Sequence, residues 1–170
     1  KNLTTENNGT VNLYAVWSQC TACNAGTGAT CSLSVSNNTC VYTTACKDGY
    51  NTISNNGKYN PSCKANKYTV KYNANGGSGT MSDSSHIYDI AKALTANAFT
   101  RSGYTFSGWA TSSTGSVAYA DKASVKNLTT ENNGTVNLYA VWSKCTACSA
   151  GTGATCSLSV SNNQCVYTTA

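Results

Sequence analysis

The side chains best suited to chemistry in this 170-residue chain are its ten cysteines, six of which fall within residues 20–63. That segment has an even number of thiols, little charge and many glycines and asparagines. It is also too short to bury a large core, so we expect it to need covalent cross-links to fold. We therefore predict three disulfides within it and leave their pairing open. The complete set of cysteines is Cys20, Cys23, Cys31, Cys40, Cys46, Cys63, Cys145, Cys148, Cys156 and Cys165.

Zinc binding and thiol redox catalysis are the alternative uses of these cysteines. Structural zinc sites favour paired Cys-x-x-Cys knuckles, whereas Cys20 and Cys23 alone have this spacing within residues 20–63, and no histidine lies near them. A redox Cys-x-x-Cys opens a helix after a strand, which lowers the thiol pKa. The glycines at positions 26 and 28 would break such a helix. Both alternatives stay open, and disulfides are the preferred interpretation.

Acid–base chemistry has few candidate residues in this composition. The chain has 6 acidic residues, 11 Lys and Arg, and one histidine, His86, which therefore has no second imidazole to work with. We expect His86 to be a surface or strand residue. Arg101 could bind a partner carboxylate, although a solvated loop or a salt bridge within the module is the plainer interpretation. The residues predict no enzyme, no cofactor and no metal site.

Charge and hydropathy exclude two further classes of partner. The net charge of +5 reflects scarce acidic residues, and the basic residues are spread singly. Nucleic-acid binding needs clustered Lys and Arg to neutralise phosphates, so none is expected. No stretch approaches the ~18 apolar residues of a membrane span, so we expect no direct membrane insertion. Because the chain begins at Lys1 without a signal core, we interpret it as a fragment.

An internal repeat dominates the sequence. Residues 1–45 recur as residues 126–170, with differences only where Gln19, Asn24 and Thr39 become Lys144, Ser149 and Gln164. Near-identity over this length indicates a recent duplication and a longer array in the parent protein. Neighbouring repeats of the same chain are therefore expected partners. Stalks and multivalent binders gain reach and avidity from such copies.

The distribution of cysteines divides each period into two kinds of module in a tandem array. We predict a mainly β chain in which a small β module alternates with disulfide-rich, loop-dominated modules. We predict four segments: the N-terminal segment (1–18), the first cysteine module (19–66), the complete β module (67–143) and the truncated second cysteine module (144–170). The N-terminal segment is interpreted as the C-terminal strand region of a truncated upstream β repeat.

Truncation has two expected consequences. The counterparts of Cys46 and Cys63 in the second cysteine module would lie beyond Ala170, so pairing that used them would leave unpaired thiols. The N-terminal segment duplicates the end of the β module but lacks the strands that should precede it. We expect it to form a loose edge strand or to compete with residues 126–143 for one place in the sheet.

Periodicity and turn residues predict the elements of the β module. The strongest strand is Thr135–Trp142, which places Val136, Leu138, Ala140 and Trp142 on one face. The other predicted elements are strands at residues 68–72, 86–90 and 104–109, turns at 75–77 and 112–116, and one short helix at 91–96.

Three motifs in this module resemble a known family. They are the strand and turn YTVKYNANGG, the central Thr-Arg-x-Gly-Tyr-x-Phe-x-Gly-Trp at residues 100–109, and the closing Leu-Tyr-Ala-x-Trp at residues 138–142. In this order they resemble the Listeria–Bacteroides repeat, the B-repeat of internalin-type surface proteins. The resemblance covers residues 67–143, and its closing motif recurs at residues 13–17. Ala110 departs from the pattern, since the family often has a larger residue there.

The resemblance implies a β-grasp-like fold in a secreted or surface-anchored bacterial protein, where such repeats serve as spacers or adhesive modules. A module this small must bury its large aromatics, so core packing is the expected role of the motif side chains, and a ligand-stacking platform is the alternative. The motif residues are Tyr104, Phe106, Gly108, Trp109, Leu138, Tyr139 and Trp142.

The cysteine modules are similar to the cysteine-rich repeats of growth-factor-receptor type. The residues that carry this resemblance are the run Cys-Thr-Ala-Cys-x-Ala-Gly-Thr and the run Cys46-Lys-Asp-Gly-Tyr50.

The sequence as a whole predicts a non-enzymatic, extracellular stalk segment at the bacterial cell surface, and adhesion is a further role that it allows. A specific binding module for a host or neighbouring-cell surface protein or glycan is the alternative. It would use exposed tyrosines such as Tyr42, Tyr50 and Tyr59.

Overall fold

The computed structural model describes residues 7–170, and every helix-or-strand element in this part of the chain is a β-strand. A mainly β, disulfide-rich chain is therefore confirmed. Among these residues no helix is long and apolar enough to cross a membrane. The strands are β1 (Ala29–Ser36), β2 (Thr39–Cys46), β3 (Tyr50–Ser54), β4 (Ser62–Ala65), β5 (Lys67–Asn73), β6 (Ser84–Ile87), β7 (Lys92–Ala93), β8 (Tyr104–Ala110), β9 (Ser124–Val125), β10 (Gly134–Lys144), β11 (Cys156–Ser161) and β12 (Gln164–Thr169).

The β module is built on a four-stranded sheet with the order β6-β5-β10-β8. The central strand β10 pairs parallel to β5 along its first six residues and antiparallel to β8 along its last six. A parallel pair cannot be closed by a tight turn, so β6, β8 and their loops lie between β5 and β10 in the chain. The register between β10 and β8 shifts between Val141 and Trp142. β10 therefore joins β5 and β8, the other two long strands of this module, into one sheet.

The core lies on one face of this sheet, around Trp109, which is fully buried. Leu138 and Ala140 of β10 are fully buried as well, and Val136 and Trp142 pack against the same cluster from the predicted face. Loop residues Leu94 and Phe99 cover the cluster, since no helix is available among the described residues to do so. The buried members are Tyr68, Val70, Leu94, Phe99, Phe106, Trp109, Val125, Leu138 and Ala140.

The prediction of a short helix at residues 91–96 is wrong. Lys92 and Ala93 form β7, which pairs with β9, and the Leu94 amide donates to the Ala123 carbonyl at 2.9 Å. Six residues are too few to offset the cost of helix nucleation. Burial of the Leu94 side chain, which is 2% exposed, fixes the segment in an extended conformation instead.

The two cysteine modules contain the same hairpin. β1 pairs with β2 through the turn Asn37-Asn38, and β11 pairs with β12 through the turn Asn162-Asn163. Both central residues of each turn have positive φ, between 47° and 61°. Asparagine tolerates this left-handed conformation, and turns of this kind match the twist of paired strands. The first cysteine module adds a second hairpin, in which β3 pairs with β4.

Each hairpin has the same two disulfides. Cys20–Cys40 and Cys23–Cys31 in the first cysteine module correspond to Cys145–Cys165 and Cys148–Cys156 in the second. The third pair, Cys46–Cys63, joins the end of β2 to β4. The six cysteines of residues 20–63 therefore form three disulfides, as predicted. The expectation of unpaired thiols in the second module is wrong, because its four cysteines pair among themselves and no cysteine is free.

The N-terminal segment takes no strand in its described part, residues 7–18. Its residues 1–6 lie outside the described part of the chain. Leu13, Tyr14, Val16 and Trp17 are all at least 79% exposed. The identical residues of β10 occupy the centre of the sheet, so the place for which we expected competition is held by β10.

Candidate functional site at the module joints

Two joints hold the β module between its cysteine modules, and neither has a linker. At the first joint a single residue, Asn66, separates β4 from β5. At the second joint β10 ends at Lys144, and the next residue, Cys145, already forms a disulfide. Relative orientation at each joint is therefore set by direct contacts between neighbouring modules.

Asn66 is the centre of the first joint and is only 5% exposed. Its amide donates to the Gly49 carbonyl at 2.8 Å, and its own carbonyl accepts from the Tyr88 amide at 2.8 Å. Its side-chain Nδ2 donates to the Thr130 carbonyl at 2.6 Å, and its Oδ1 accepts from Asn51 Nδ2. This one buried amide thus bonds groups of both modules, and such satisfied buried polar groups define a single arrangement.

Asp89 forms the polar edge of the first joint. Its Oδ2 accepts from the Tyr50 hydroxyl at 2.6 Å, and its Oδ1 accepts from Asn127 Nδ2 at 2.8 Å and lies 3.2 Å from Lys126 Nζ. The Tyr50 ring also meets the Tyr88 ring edge-on, with centroids 5.6 Å apart. Gly49 lies against this ring pair with φ +80°, and a Cβ there would collide with Tyr88.

These bonds control the titration of Asp89. Donation from Asn127, then from Tyr50, and the nearby Lys126 ammonium hold the pKa of Asp89 at about 2, below its ordinary value of 3.8. The same bond to Asp89 raises the pKa of the Tyr50 hydroxyl. The carboxylate of Asp89 is therefore the form that the folded joint favours.

We expect the first joint to weaken in acid because of Asp89. A pKa lowered by folding stabilises the fold above the ordinary value of 3.8, and this stabilisation is lost as the pH falls from 3.8 through about 2. A carbon-detected NMR titration of the carboxyl group should give a midpoint near 2. Asp89→Asn should remove this part of the acid dependence of unfolding. A midpoint at the ordinary value would contradict the bonded carboxylate.

The second joint uses the hairpin turn of the second cysteine module. Phe106 lies on β8, at the edge of the sheet, and its amide donates to Asn163 Oδ1 at 2.5 Å. In return Asn163 Nδ2 donates to the Phe106 carbonyl at 2.8 Å. The side-chain amide thus satisfies both backbone groups of one residue, as a neighbouring strand would. The Cys145 amide adds a bond to the Gly103 carbonyl at 2.8 Å. This arrangement covers part of a sheet edge that would otherwise be open to pairing.

Asn163→Ala should weaken docking at the second joint, and Asn38→Ala should not. Each lost hydrogen bond costs about 1 kcal/mol, so we expect a loss of about 2 kcal/mol from the two bonds to Phe106. Asn38 is the equivalent residue in the other copy, and it takes no part in the two bonds to Phe106, which Asn163 makes. Both residues have φ near 60°, so the cost of alanine in the turn is the same in both variants. Hydrogen exchange of the Phe106 amide measures the difference, and equal exchange in the two variants would contradict this joint.

A shallow cleft of about 270 Å³ lies beside the second joint, between the β module and the second cysteine module. The Arg101 guanidinium lies 4.0 Å from the centre of the Tyr104 ring on one wall. The lining combines aromatic rings with amide side chains, from Asn97, Arg101, Tyr104, Trp142, Asn162 and Asn163.

The predicted site residues take three kinds of position. Phe106, Gly108, Trp109 and Leu138 are buried, whereas Tyr104, Tyr139 and Trp142 are half-buried. Tyr42 and Tyr50 donate hydrogen bonds to the Thr21 carbonyl and to Asp89, so two of the three tyrosines considered for partner contact are used within the chain. The third tyrosine, Tyr59, is 44% exposed. All ten cysteines are in disulfides.

His86 is a buried strand residue. It is 1% exposed, stacks on Tyr68 with ring centroids 5.4 Å apart, and shares a 2.9 Å hydrogen bond with the Ser84 hydroxyl through Nε2. Burial, and then the charge of Lys92, lowers the pKa of His86, so the fold favours the neutral ring. No carboxylate is among these partners, and His86 acts as a packing residue of β6.

Asn66, Asp89 and Asn163 were not singled out from the sequence. Each belongs to a common class of turn or loop residue, and the side-chain hydrogen bonds that place them join residues between 15 and 64 positions apart in the chain. Hydrogen bonds over such separations leave no periodic signal. The Asn-Asn pair between two alternating segments predicts a hairpin turn, but nothing near it indicates that the turn meets β8.

The comparison with protein families decides the nature of the module between the joints. Residues 68–141 match the Listeria–Bacteroides repeat domain. The match covers a little under half of the chain and confirms the resemblance carried by the three motifs. The Listeria–Bacteroides repeat is typical of extracellular bacterial surface proteins, and the five disulfides are consistent with such a protein. No curated protein and no solved structure matches the chain.

The matched residues include strands from the whole four-stranded sheet, with β5 matched from Tyr68 and β10 as far as Val141. Both cysteine modules lie outside the Listeria–Bacteroides match. Their resemblance to growth-factor-receptor repeats therefore stays a prediction, as do the segment boundaries at residues 18, 66 and 143.

Proposed function

We propose that this chain is a non-enzymatic segment of a bacterial cell-surface protein, in which Listeria–Bacteroides repeats and disulfide hairpins alternate to form a stiff extracellular stalk. The observation that carries the proposal is the pair of linker-free joints, each fixed by buried or paired hydrogen bonds. A stalk needs modules that resist bending against one another. Disulfides supply stiffness within the cysteine modules, and near-identical copies supply length.

Scattering from chains of increasing copy number tests this proposal. Because residue 170 corresponds to residue 45, appending residues 46–170 adds one whole period. A stiff array should gain the same increment in maximum dimension with each added period. A flexible array should grow roughly with the square root of the copy number, which would contradict the stalk. Chains with a Gly-Ser insertion between Lys144 and Cys145, repeated in each copy, serve as the flexible control.

An adhesive role is the second candidate, and the cleft beside the second joint favours it. Aromatic rings, an arginine and several amides are the side chains that contact sugar rings and hydroxyl groups, and Tyr104 and Trp142 contribute rings there. The proposed ligand is a glycan of a host or neighbouring cell. Binding of the chain to an array of immobilised glycans, lost in Tyr104→Ala, supports adhesion. If the unchanged chain binds no better than Tyr104→Ala, the adhesive role is contradicted and the stalk is the only proposed function that stands.

A further inference from the structure

Arg101 lies half-buried beside the second joint without an acidic partner among residues 7–170. Neither of the two ion pairs in this part of the chain includes it, so the salt bridge that the sequence allowed is not formed. Its guanidinium lies 4.0 Å from the centre of the Tyr104 ring. A ring face attracts the positive charge but supplies no oxygen acceptor for the five N–H groups. Arg101 therefore keeps its capacity to bind a carboxylate.

The backbone on both sides holds Arg101 in position. Thr100, the residue before it, exchanges two backbone hydrogen bonds with Ser78, at 2.7 and 3.0 Å. The Tyr104 amide donates to the Arg101 carbonyl at 3.1 Å and closes a tight turn. Because these bonds fix the segment, the guanidinium and the ring are placed before a ligand arrives, which lowers the cost of ordering them on binding.

Two further polar groups of the cleft have no partner within residues 7–170. The lining side chains that form hydrogen bonds in this part of the chain are Asn97, Trp142 and Asn163. The Tyr104 hydroxyl and the Asn162 side-chain amide line the same cleft and form none. A hydroxyl and an amide can each donate and accept, as the hydroxyl groups of a sugar require. The cleft thus presents one fixed cation beside two groups that suit a sugar.

The charge around the cleft favours an anionic ligand. In the described part of the chain no acidic residue lines this cleft or a second shallow cleft, of about 380 Å³, that shares Arg101 with it. Asp121 bonds a lining residue, and its Oδ1 accepts from the Asn97 amide at 2.8 Å. Since the two clefts meet at Arg101, a ligand longer than one sugar ring can contact the guanidinium from both sides.

We propose that this cleft binds a glycan through a sugar carboxylate, and that Arg101 is the residue that recognises the acid. The N–H groups of Arg101 bond both carboxylate oxygens, the geometry for which a guanidinium is suited. Tyr104 and Asn162 bond neighbouring hydroxyl groups. Sialic acids and uronic acids share the required carboxylate. The inference rests on the adhesive candidate function, whose ligand class it narrows, and is independent of the stalk.

NMR titration of the isotope-labelled chain tests this proposal, with the Trp142 indole N–H and the Arg101 Nε–H as reporters. The ligands are sialyllactose and a hyaluronan oligosaccharide, each beside its carboxamide analogue, which keeps the shape and removes the charge. At least one acid should bind about tenfold or more tightly than its own carboxamide, because a charge-assisted pair of hydrogen bonds is lost. The acid that shows this preference identifies the sugar as a sialic or a uronic acid.

Three variants assign the preference to Arg101. Arg101→Gln should remove the preference for acid over carboxamide, and Arg101→Lys should retain only part of it, since lysine keeps the charge without the planar fork. Lys58→Gln is the matched control, because it removes one positive charge at an exposed position of the first cysteine module. Exchange of the β8 amides shows that each variant is folded. A preference that persists in Arg101→Gln, or that falls equally in Lys58→Gln, overturns the proposal.

The same titrations distinguish failure of this inference from failure of the adhesive function. Equal binding of acid and carboxamide that is lost in Tyr104→Ala leaves adhesion standing and overturns the role of Arg101. No binding of any glycan contradicts adhesion and this inference together. An oligoglutamate peptide provides the remaining comparison, and tighter binding of this peptide than of either glycan would overturn the choice of a sugar as the ligand.

Discussion

Trp109→Ala should unfold the β module under conditions in which the unchanged chain is folded. Trp109 is fully buried, and its ring lies 4.9 Å from the rings of Tyr72 and Phe106 and 6.2 Å from the ring of Phe99. Removal of a buried aromatic ring costs about 3–5 kcal/mol through lost transfer energy and the remaining cavity. That loss is comparable to the whole stability of a small domain. Hydrogen exchange across β5, β8 and β10 measures it.

Two variants control this prediction. Trp17→Ala removes an 81% exposed ring and should change the free energy of unfolding by less than about 0.5 kcal/mol. Trp109→Phe keeps most of the ring contacts and removes an indole N–H that has no hydrogen-bond partner among residues 7–170, so it should cost much less than alanine. If Trp109→Ala leaves exchange in β10 unchanged, Trp109 does not organise this core.

The second large effect should follow from Cys46→Ser combined with Cys63→Ser. This disulfide spans 17 residues and joins the end of β2 to β4, where Cys63 is 7% exposed. Loop-closure entropy for that length corresponds to about 3 kcal/mol. The other contacts between the two hairpins include hydrogen bonds of Thr44 with Asn56 and Gly57 and the ring contact of Tyr42 with Tyr59, and none of them is covalent. We expect the β3–β4 hairpin to lose exchange protection first, and with it the hydrogen bond from Tyr50 to Asp89.

Removing a disulfide from the other cysteine module provides the comparison. Cys148→Ser with Cys156→Ser opens a bond between residues eight positions apart and should leave β3 and β4 unaffected. Denaturant unfolding, followed by exchange at residues 50–65, distinguishes the two double variants. An equal effect of both on this region would show that Cys46–Cys63 is not what holds the hairpins together.

The positions of the long strands of the β module could be predicted from the sequence. Strands were predicted at residues 68–72, 104–109 and 135–142 because apolar residues alternate along them, and a strand buried on one face requires that alternation. The structure has these strands slightly longer, at Lys67–Asn73, Tyr104–Ala110 and Gly134–Lys144. The predicted strand at residues 86–90 is shorter and earlier, at Ser84–Ile87, because Asp89 adopts φ 62° and ends the extended run. The helix at 91–96 failed because Leu94 is needed in the core.

Sequence by itself determined the internal repeat, the mainly β class and the resemblance of residues 68–141 to the Listeria–Bacteroides repeat, because each rests on local pattern or on identity between copies. Tertiary structure decided the pairing of the cysteines, the joints at Asn66 and Asn163, and which of two identical segments becomes β10. Those outcomes depend on partners distant in the chain. Residues 134–143 pair with β5 and β8, whereas the identical residues 9–18 form no strand in the described part of the chain. The same sequence thus has two structures, because tertiary contacts and not the local sequence decide whether it becomes a buried strand.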